Sequence, residues 1–373
     1  MVDHESAQKP VRPPRIERGT SYRNPTLSCD LRENMTELKP IAPRDAADMY
    51  LDARKRELAT TTLREYSYRL DHFVEWCRKN DVDNLNELTG RDLLRFKTWR
   101  EETGDLKPIT VSTDLDAIRL FLRWAETIDA VESELYEKID ALKPKLSRND
   151  EQADSVLTPD EAKNLIEYER KFDYASRRHV IIELLWHTGI RLGALRALDV
   201  DDYDGVENRL AVRHRPGTET PLKNDDRGER LISLSPDVSS VIDDYAEHNR
   251  HDVTDDHGRQ PLITTKHGRI DTSSVRHTIY EITRPCYYGR DCPENRDPDE
   301  CEATSYKYYH RCPLNVSPHD IRRGSITHFL TSDVPEEVVS DRMNVSRDVL
   351  DKHYDKRSEE VKVEQRRQYL DNV

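Results

Sequence analysis

The chain lacks any run of about 18 consecutive apolar residues, which excludes a helix that crosses a bilayer. Its first residues hold no apolar core of a secretory signal, so a cytoplasmic location with no membrane partner is the expectation. Apolar residues are scarce, at 35%, and charged residues are equally common, at 35%. The apolar positions nevertheless fall in periodic blocks able to build cores, which argues against general disorder. An excess of positive charge is also missing: 59 Lys and Arg face 73 Asp and Glu, a net charge of -14. A nucleic-acid partner normally demands a basic patch. Either the partner is something else, or the acidity covers the whole surface and basic groups act locally. Lysine is the rarer cation, 17 of the 59. An acidic, lysine-poor surface resembles proteins of salt-accumulating halophiles, and the second reading is preferred.

A length of 373 residues suggests two domains, or two and an extension. Residues 1–42 are rich in Pro and Arg without period and read as a flexible extension. From Pro43 the pattern turns helical. Apolar residues recur at three and four through Leu63, Tyr66, Leu70, Phe73 and Trp76, then through Leu93, Phe96 and Trp99, then through Leu115, Ile118, Phe121 and Trp124. Residues 43–142 are therefore expected to form a helical domain with the tryptophans in its core. The polar stretch 143–156 reads as a linker. A second domain, 157–373, opens on Thr158-Pro159-Asp160-Glu161, a helix start with a capping box. Two short strands are expected at Leu210–Val212 and Leu231–Leu234, with Lys223 between them. Residues 284–316 look like an insert of little period.

The stretch Ser317-Pro318-His319-Asp320-Ile321-Arg322 organises the second domain. Ser317 suits a cap, Pro318 the first helical position and Asp320 the first turn. His319 and Arg322 are three apart, so they share one face of that turn. An imidazole and a guanidinium at the positive end of a helix make an anion site, with phosphate the natural guest. A solvated helix start with a chance His and Arg has the same pattern. Upstream, Thr188-Gly189-Ile190-Arg191 places an arginine after a glycine turn, where a helix begins. Downstream lie Thr327-His328 and, near the end, Tyr354.

Together these pieces resemble the tyrosine recombinases, the integrase family that includes the Xer proteins, over about residues 43–360. The family carries T-G-x-R, a hairpin lysine, H-x-L-R followed by T-H, and a tyrosine about 30 residues later. The matching positions are Arg191, Lys223, His319, Arg322 and Tyr354. The resemblance implies a mainly α fold with a small β-sheet: an N-terminal helical core-binding, SAM-like domain plus a mixed α/β catalytic domain. It implies site-specific cleavage and rejoining of double-stranded DNA through a 3′-phosphotyrosine, by a homotetramer on paired sites, with no catalytic cofactor. The C-terminal segment from Glu359 to Leu370 would reach a neighbouring protomer. One departure is Val345, which stands where the family has His or Trp, with Asn344 beside it as a substitute donor. Two other readings remain: a type IB topoisomerase-like enzyme with a similar Arg, Lys and Tyr set, and a non-catalytic DNA-binding protein of the same fold.

The chemistry accounts for these residue types. A phenol with a reference pKa near 10 is a poor nucleophile, so it needs cations or a base beside it. Attack on a phosphodiester loads charge onto the non-bridging oxygens, which two guanidiniums can clamp. Lys223 is the candidate acid for the leaving oxygen, and His319 can take or return the tyrosine proton or simply hydrogen-bond the phosphate.

The insert holds four of the six cysteines, Cys286, Cys292, Cys301 and Cys312, spaced C-x5-C-x8-C-x10-C. In a reducing compartment such a cluster reads as a structural zinc site. The spacing lacks the usual C-x2-C pairs, and His310 is an alternative ligand.

Overall fold

The computed structural model describes residues 38–104, 106–146, 155–354 and 359–367. The expected extension and linker lie largely outside them. The chain divides into two compact units, 1–150 and 151–373.

The first unit is built of α1 (Pro43–Arg54), α2 (Thr60–Lys79), α3 (Gly90–Glu102), α4 (Pro108–Glu126) and the short α5 (Lys138–Leu142). Proline in the first turn starts α1 and α4, and a Thr89–Asp92 capping box starts α3. The apolar stripes meet in one core. Phe73 packs edge-on to Phe96 at 5.3 Å, and Trp76 edge-on to Phe96 at 5.9 Å. Trp76 is fully buried, whereas Trp99 and Trp124 lie partly buried against that core. Arg100 and Asp114 form a buried ion pair that ties α3 to α4, with Nε and Nη2 at 2.9 and 2.7 Å from one carboxylate oxygen.

The second unit winds around α7 (Arg177–Thr188), whose Val180, Ile181, Ile182, Leu184 and Leu185 are all fully buried. A helix apolar on every side must be covered on every side. Its neighbours are α6 (Pro159–Phe172), α9 (Pro236–Asp244), α10 (Thr272–Ile282) and α11 (Pro318–Thr331). The reciprocal Thr158–Glu161 capping box starts α6. Gly189 ends α7 at φ 58°, a left-handed position that suits glycine, and α8 (Leu192–Ala197) follows directly.

An antiparallel meander, β1 (Tyr203–Asp204), β2 (Arg209–Val212) and β3 (Arg230–Ser233), pairs Leu210 with Ile232 and Ala211 with Leu231. The sequence pattern anticipated β2 and β3; β1 and the hairpin β4 (Thr264–Thr265) with β5 (Gly268–Arg269) are additions. These strands are two residues long, too short for an alternating signal. After α11 come α12 (Glu336–Met343), α13 (Arg347–His353) and α14 (Glu359–Arg367). Ile326, Leu330, Val339, Met343, Val345, Leu350 and Tyr354 form a second small core joining α11, α12 and α13.

The insert has no strand and no α-helix, only three 3₁₀ turns at Pro285–Tyr288, Glu302–Thr304 and Tyr306–Arg311. It is a closed excursion. The backbone N–H of Val316 donates to Thr283 Oγ1 at 3.2 Å, bringing its end back to its start. The Tyr287 hydroxyl donates to Glu169 on α6 at 2.9 Å, and that of Tyr309 to Glu281 on α10 at 3.2 Å.

Candidate active site

The first turn of α11 is built as its sequence demands. Ser317 Oγ accepts from the Asp320 N–H at 3.3 Å, and Asp320 accepts from the Ser317 N–H at 2.9 Å. This capping box sets the angle at which His319 and Arg322 leave the helix.

Arg322 is 2% exposed. Its guanidinium donates to the Gly189 carbonyl at the end of α7, to the Met343 carbonyl at 2.7 Å and, more weakly, to the Asn344 carbonyl at 3.5 Å. These carbonyls lie at the negative C-terminal ends of two helices, which makes them good partners for a buried cation. Burial, and then the charge of Arg191, push its pKa down to about 10, so it stays charged near neutrality. Tyr354 bears electrostatically on both this guanidinium and that of Arg191.

Arg191 stands at the cap position of α8, half-buried. Desolvation lowers its pKa, and no hydrogen bond or ion pair engages its guanidinium among the described residues. A desolvated guanidinium with its donors unused is a strong anion site. His319 is exposed at its edge, yet desolvation, followed by the Arg322 charge, holds its pKa below the usual 6.5. Its imidazole is therefore neutral near pH 7. Lys223, exposed on the β2–β3 hairpin, also bears electrostatically on His319. The charges of Arg191 and Tyr354 bear on Arg322, and those of Arg322 and Lys223 on His319, although 163 residue positions separate Arg191 from Tyr354 (354 − 191).

Around this spot the T-H pair has plain structural work. Thr327 Oγ1 donates to the Tyr354 carbonyl at 3.4 Å, and His328 stacks on Trp186 with ring centres 5.5 Å apart. Val345, 6% exposed, packs in the same small core as Tyr354. Asn344, the substitute donor expected for the Val345 departure, lines an open cavity and is held to the hairpin. Its side-chain oxygen accepts from Asn224 at 2.9 Å and its amide leans on the Arg227 carbonyl at 3.4 Å, so it pins α12 to the hairpin.

Arg230 and Arg342 escaped the sequence reading. Arg230, on β3, donates to the Arg342 carbonyl at 2.7 Å and to the Gly228 carbonyl at 2.8 Å. Burial, then the charges of Arg191 and Arg342, push its pKa down to about 10. Arg342 donates to the His187 carbonyl at 3.0 Å. An open cavity of about 940 Å³ beside the site is lined by Arg230, Val345, Asn344, Ser346 and hairpin residues. An arginine on a strand carries no local signal of such a role; only the hairpin's fold brings it here.

Among the described residues, no three His, Cys, Asp or Glu side chains converge as a metal-binding group, at this site or in the insert. Cys286, Cys292, Cys301 and Cys312 are free thiols, each half-buried. No described helix is long and apolar enough to cross a membrane.

Both units resemble known proteins. Residues 49–127 match the N-terminal SAM-like domain of phage integrases, and residues 155–360 match the phage integrase family itself. Among curated relatives, the tyrosine recombinase XerC of Roseiflexus sp. (strain RS-1) is 24% identical over 63% of this chain and 68% of its own. The tyrosine recombinase XerA of Thermococcus kodakarensis is 22% identical over 80% of this chain and 85% of its own. In fold, the Tn1549 transposon integrase, solved with a circular intermediate DNA, covers 88% of this chain and 99% of its own at 12% identity and TM-score 0.63. A lambda integrase dimer bound to a core site covers 86% and 79% at 14% identity and TM-score 0.58. Since the integrase match spans more than half of its length, the chain belongs to the phage integrase family.

Proposed function

We propose that this protein is a site-specific DNA recombinase that cuts and rejoins duplex DNA through a phosphotyrosine. The observation that carries the reading is Arg322, buried and held by the Gly189 and Met343 carbonyls on the helix whose Thr327 donates to the Tyr354 carbonyl, with the charges of Arg191 and Tyr354 both bearing on it. The Tyr354 oxygen attacks the scissile phosphorus, and the bond from phosphorus to the 5′-oxygen breaks. Neutral His319 takes the phenolic proton, and Lys223 gives one to the departing 5′-oxygen. Arg191 and Arg322 hold the non-bridging oxygens as charge builds on them. The product is a 3′-phosphotyrosine, and a 5′-hydroxyl from another strand reverses the step. The bond energy is retained, so neither a nucleotide cofactor nor a catalytic metal is required. Four protomers on two paired sites would place the exchanging ends together.

A nicked suicide substrate, made from the DNA flanking the coding sequence, tests this. The 5′-hydroxyl fragment diffuses away and a covalent protein–DNA adduct accumulates. Tyr354→Phe binds the same DNA and forms no adduct. An adduct that persists in Tyr354→Phe refutes the assigned nucleophile. Relaxation of a supercoiled plasmid without these flanks, at a rate equal to that of a plasmid with them, would replace the recombinase reading by a topoisomerase-like one.

A further inference from the structure

We propose that the insert binds one zinc(II) ion through Cys286, Cys292, Cys301 and Cys312, as a structural brace that is separate from the DNA chemistry. In the fold the four thiols line a single small cavity together with Arg284 and Arg296, although they are separated by five, eight and ten residues in the chain. The cavity holds about 20 Å³, room for one water-sized guest. The sulfurs do not yet form a closed ligand group. Zinc–sulfur bonds of about 2.3 Å put four thiolates on the order of 3.8 Å apart, so closure moves the side chains inward onto a space they already surround.

Charge points the same way. Four thiolates around Zn²⁺ carry a net charge of about −2, which a half-buried site must balance. Arg284 is 6% exposed and reaches no carboxylate among the described residues. It donates to the Glu281 carbonyl at 3.0 Å and the Ala303 carbonyl at 2.9 Å, and its guanidinium lies 4.3 Å from the Tyr309 ring centre. A buried cation with only neutral partners is costly. Beside a zinc tetrathiolate it gains a counter-charge, and Arg296 supplies a second.

The insert also needs such a brace. It has only 3₁₀ turns, and Ala303, Tyr309 and Val316 are its buried apolar residues. Small segments without a core are commonly held by metal, and binding energy then becomes folding energy. On binding, the four thiols release their protons to solvent. Cys312 precedes His319 by seven residues, so the brace would steady the start of α11 without touching the reacting atoms.

The test uses the full chain purified without chelator. Elemental analysis should find about one zinc per chain. Replacing it with cobalt(II) should give the intense charge-transfer and visible bands of a tetrahedral tetrathiolate. The double variant Cys286→Ser/Cys301→Ser should lose the zinc, while Cys77→Ser, in the first unit, should keep it. If the double variant does not fold, the metal content and cobalt spectrum of the unaltered chain still decide. Less than about one-fifth of an equivalent of zinc with four freely titrating thiols overturns the proposal. So does a disulfide among the four, or iron in place of zinc. None of these outcomes alters the adduct expected from Tyr354.

Discussion

The two arginines of the site should separate sharply when each is changed to lysine. Arg322 does two jobs: it interacts electrostatically with Tyr354, and it bolts α11 to the carbonyl ends of α7 and α12. Lysine keeps the charge but concentrates its donors at one point, so it cannot span Gly189 and Met343 together. At least one charge-assisted hydrogen bond is lost, at about 1.5–3 kcal/mol, and a buried carbonyl is left bare. We expect Arg322→Lys to cost about 2–4 kcal/mol, which for a unit of this size lowers its thermal midpoint by roughly 5–15 °C. Among the described residues no hydrogen bond or ion pair engages the Arg191 guanidinium, so Arg191→Lys should cost under about 1 kcal/mol. On the chemistry both lose a forked donor, and adduct formation should fall by about 10²–10³-fold in each. Urea unfolding followed through the second unit gives the stabilities. The suicide substrate gives the rates, taken where both variants are fully folded. Equal destabilisation by the two substitutions would refute the division of labour argued here. An unchanged midpoint in Arg322→Lys would remove the bolt altogether.

Other outcomes follow from particular contacts. Val345→His places a donor beside the open cavity, and cleavage should hold or rise by up to about tenfold; a large loss would mean that Val345 is not the equivalent of the family's His or Trp. Gly324→Ala would put a Cβ 2.0 Å from the Leu157 carbonyl oxygen, so it should destabilise by about 3 kcal/mol or more, and a neutral effect in urea unfolding would contradict that packing. His187 should make the fold sensitive to acid. Burial, and then Arg342, push its pKa down to about 4, and its Nε2 accepts from the Ser235 N–H at 3.2 Å. The unfolded chain then binds the extra proton first, so stability is full above about pH 6.5 and is lost on the way down to about pH 4, by at most about 3 kcal/mol. His187→Gln keeps an acceptor and should flatten the profile over that window; an unchanged acid slope would exclude His187 as its source.

Much of this protein was decided within single turns of chain, and that part the sequence alone determines. The Thr158–Glu161 box forms as read, and the Ser317 cap closes into a full box with Asp320; both need only residues three apart. The left-handed Gly189, followed by Arg191 at a helix cap, is also local. The apolar stripes of α2, α3 and α4 point to a helical core because period 3.6 puts them on one face. The order of Arg191, Lys223, His319, Arg322 and Tyr354 is what suggests a shared site. The tertiary structure decided what each of them touches. Whether Arg322 is a surface cation or a buried bolt depends on a carbonyl 133 residues away. Asn344 became a link to the hairpin because the fold brings Asn224 to it from 120 residues away. Arg230 joined the site through the twist and register of β3, and four widely spaced cysteines came to line one cavity. Burial and charge balance depend on which distant groups the fold brings together. A hydrogen-bonded turn depends only on its own residues.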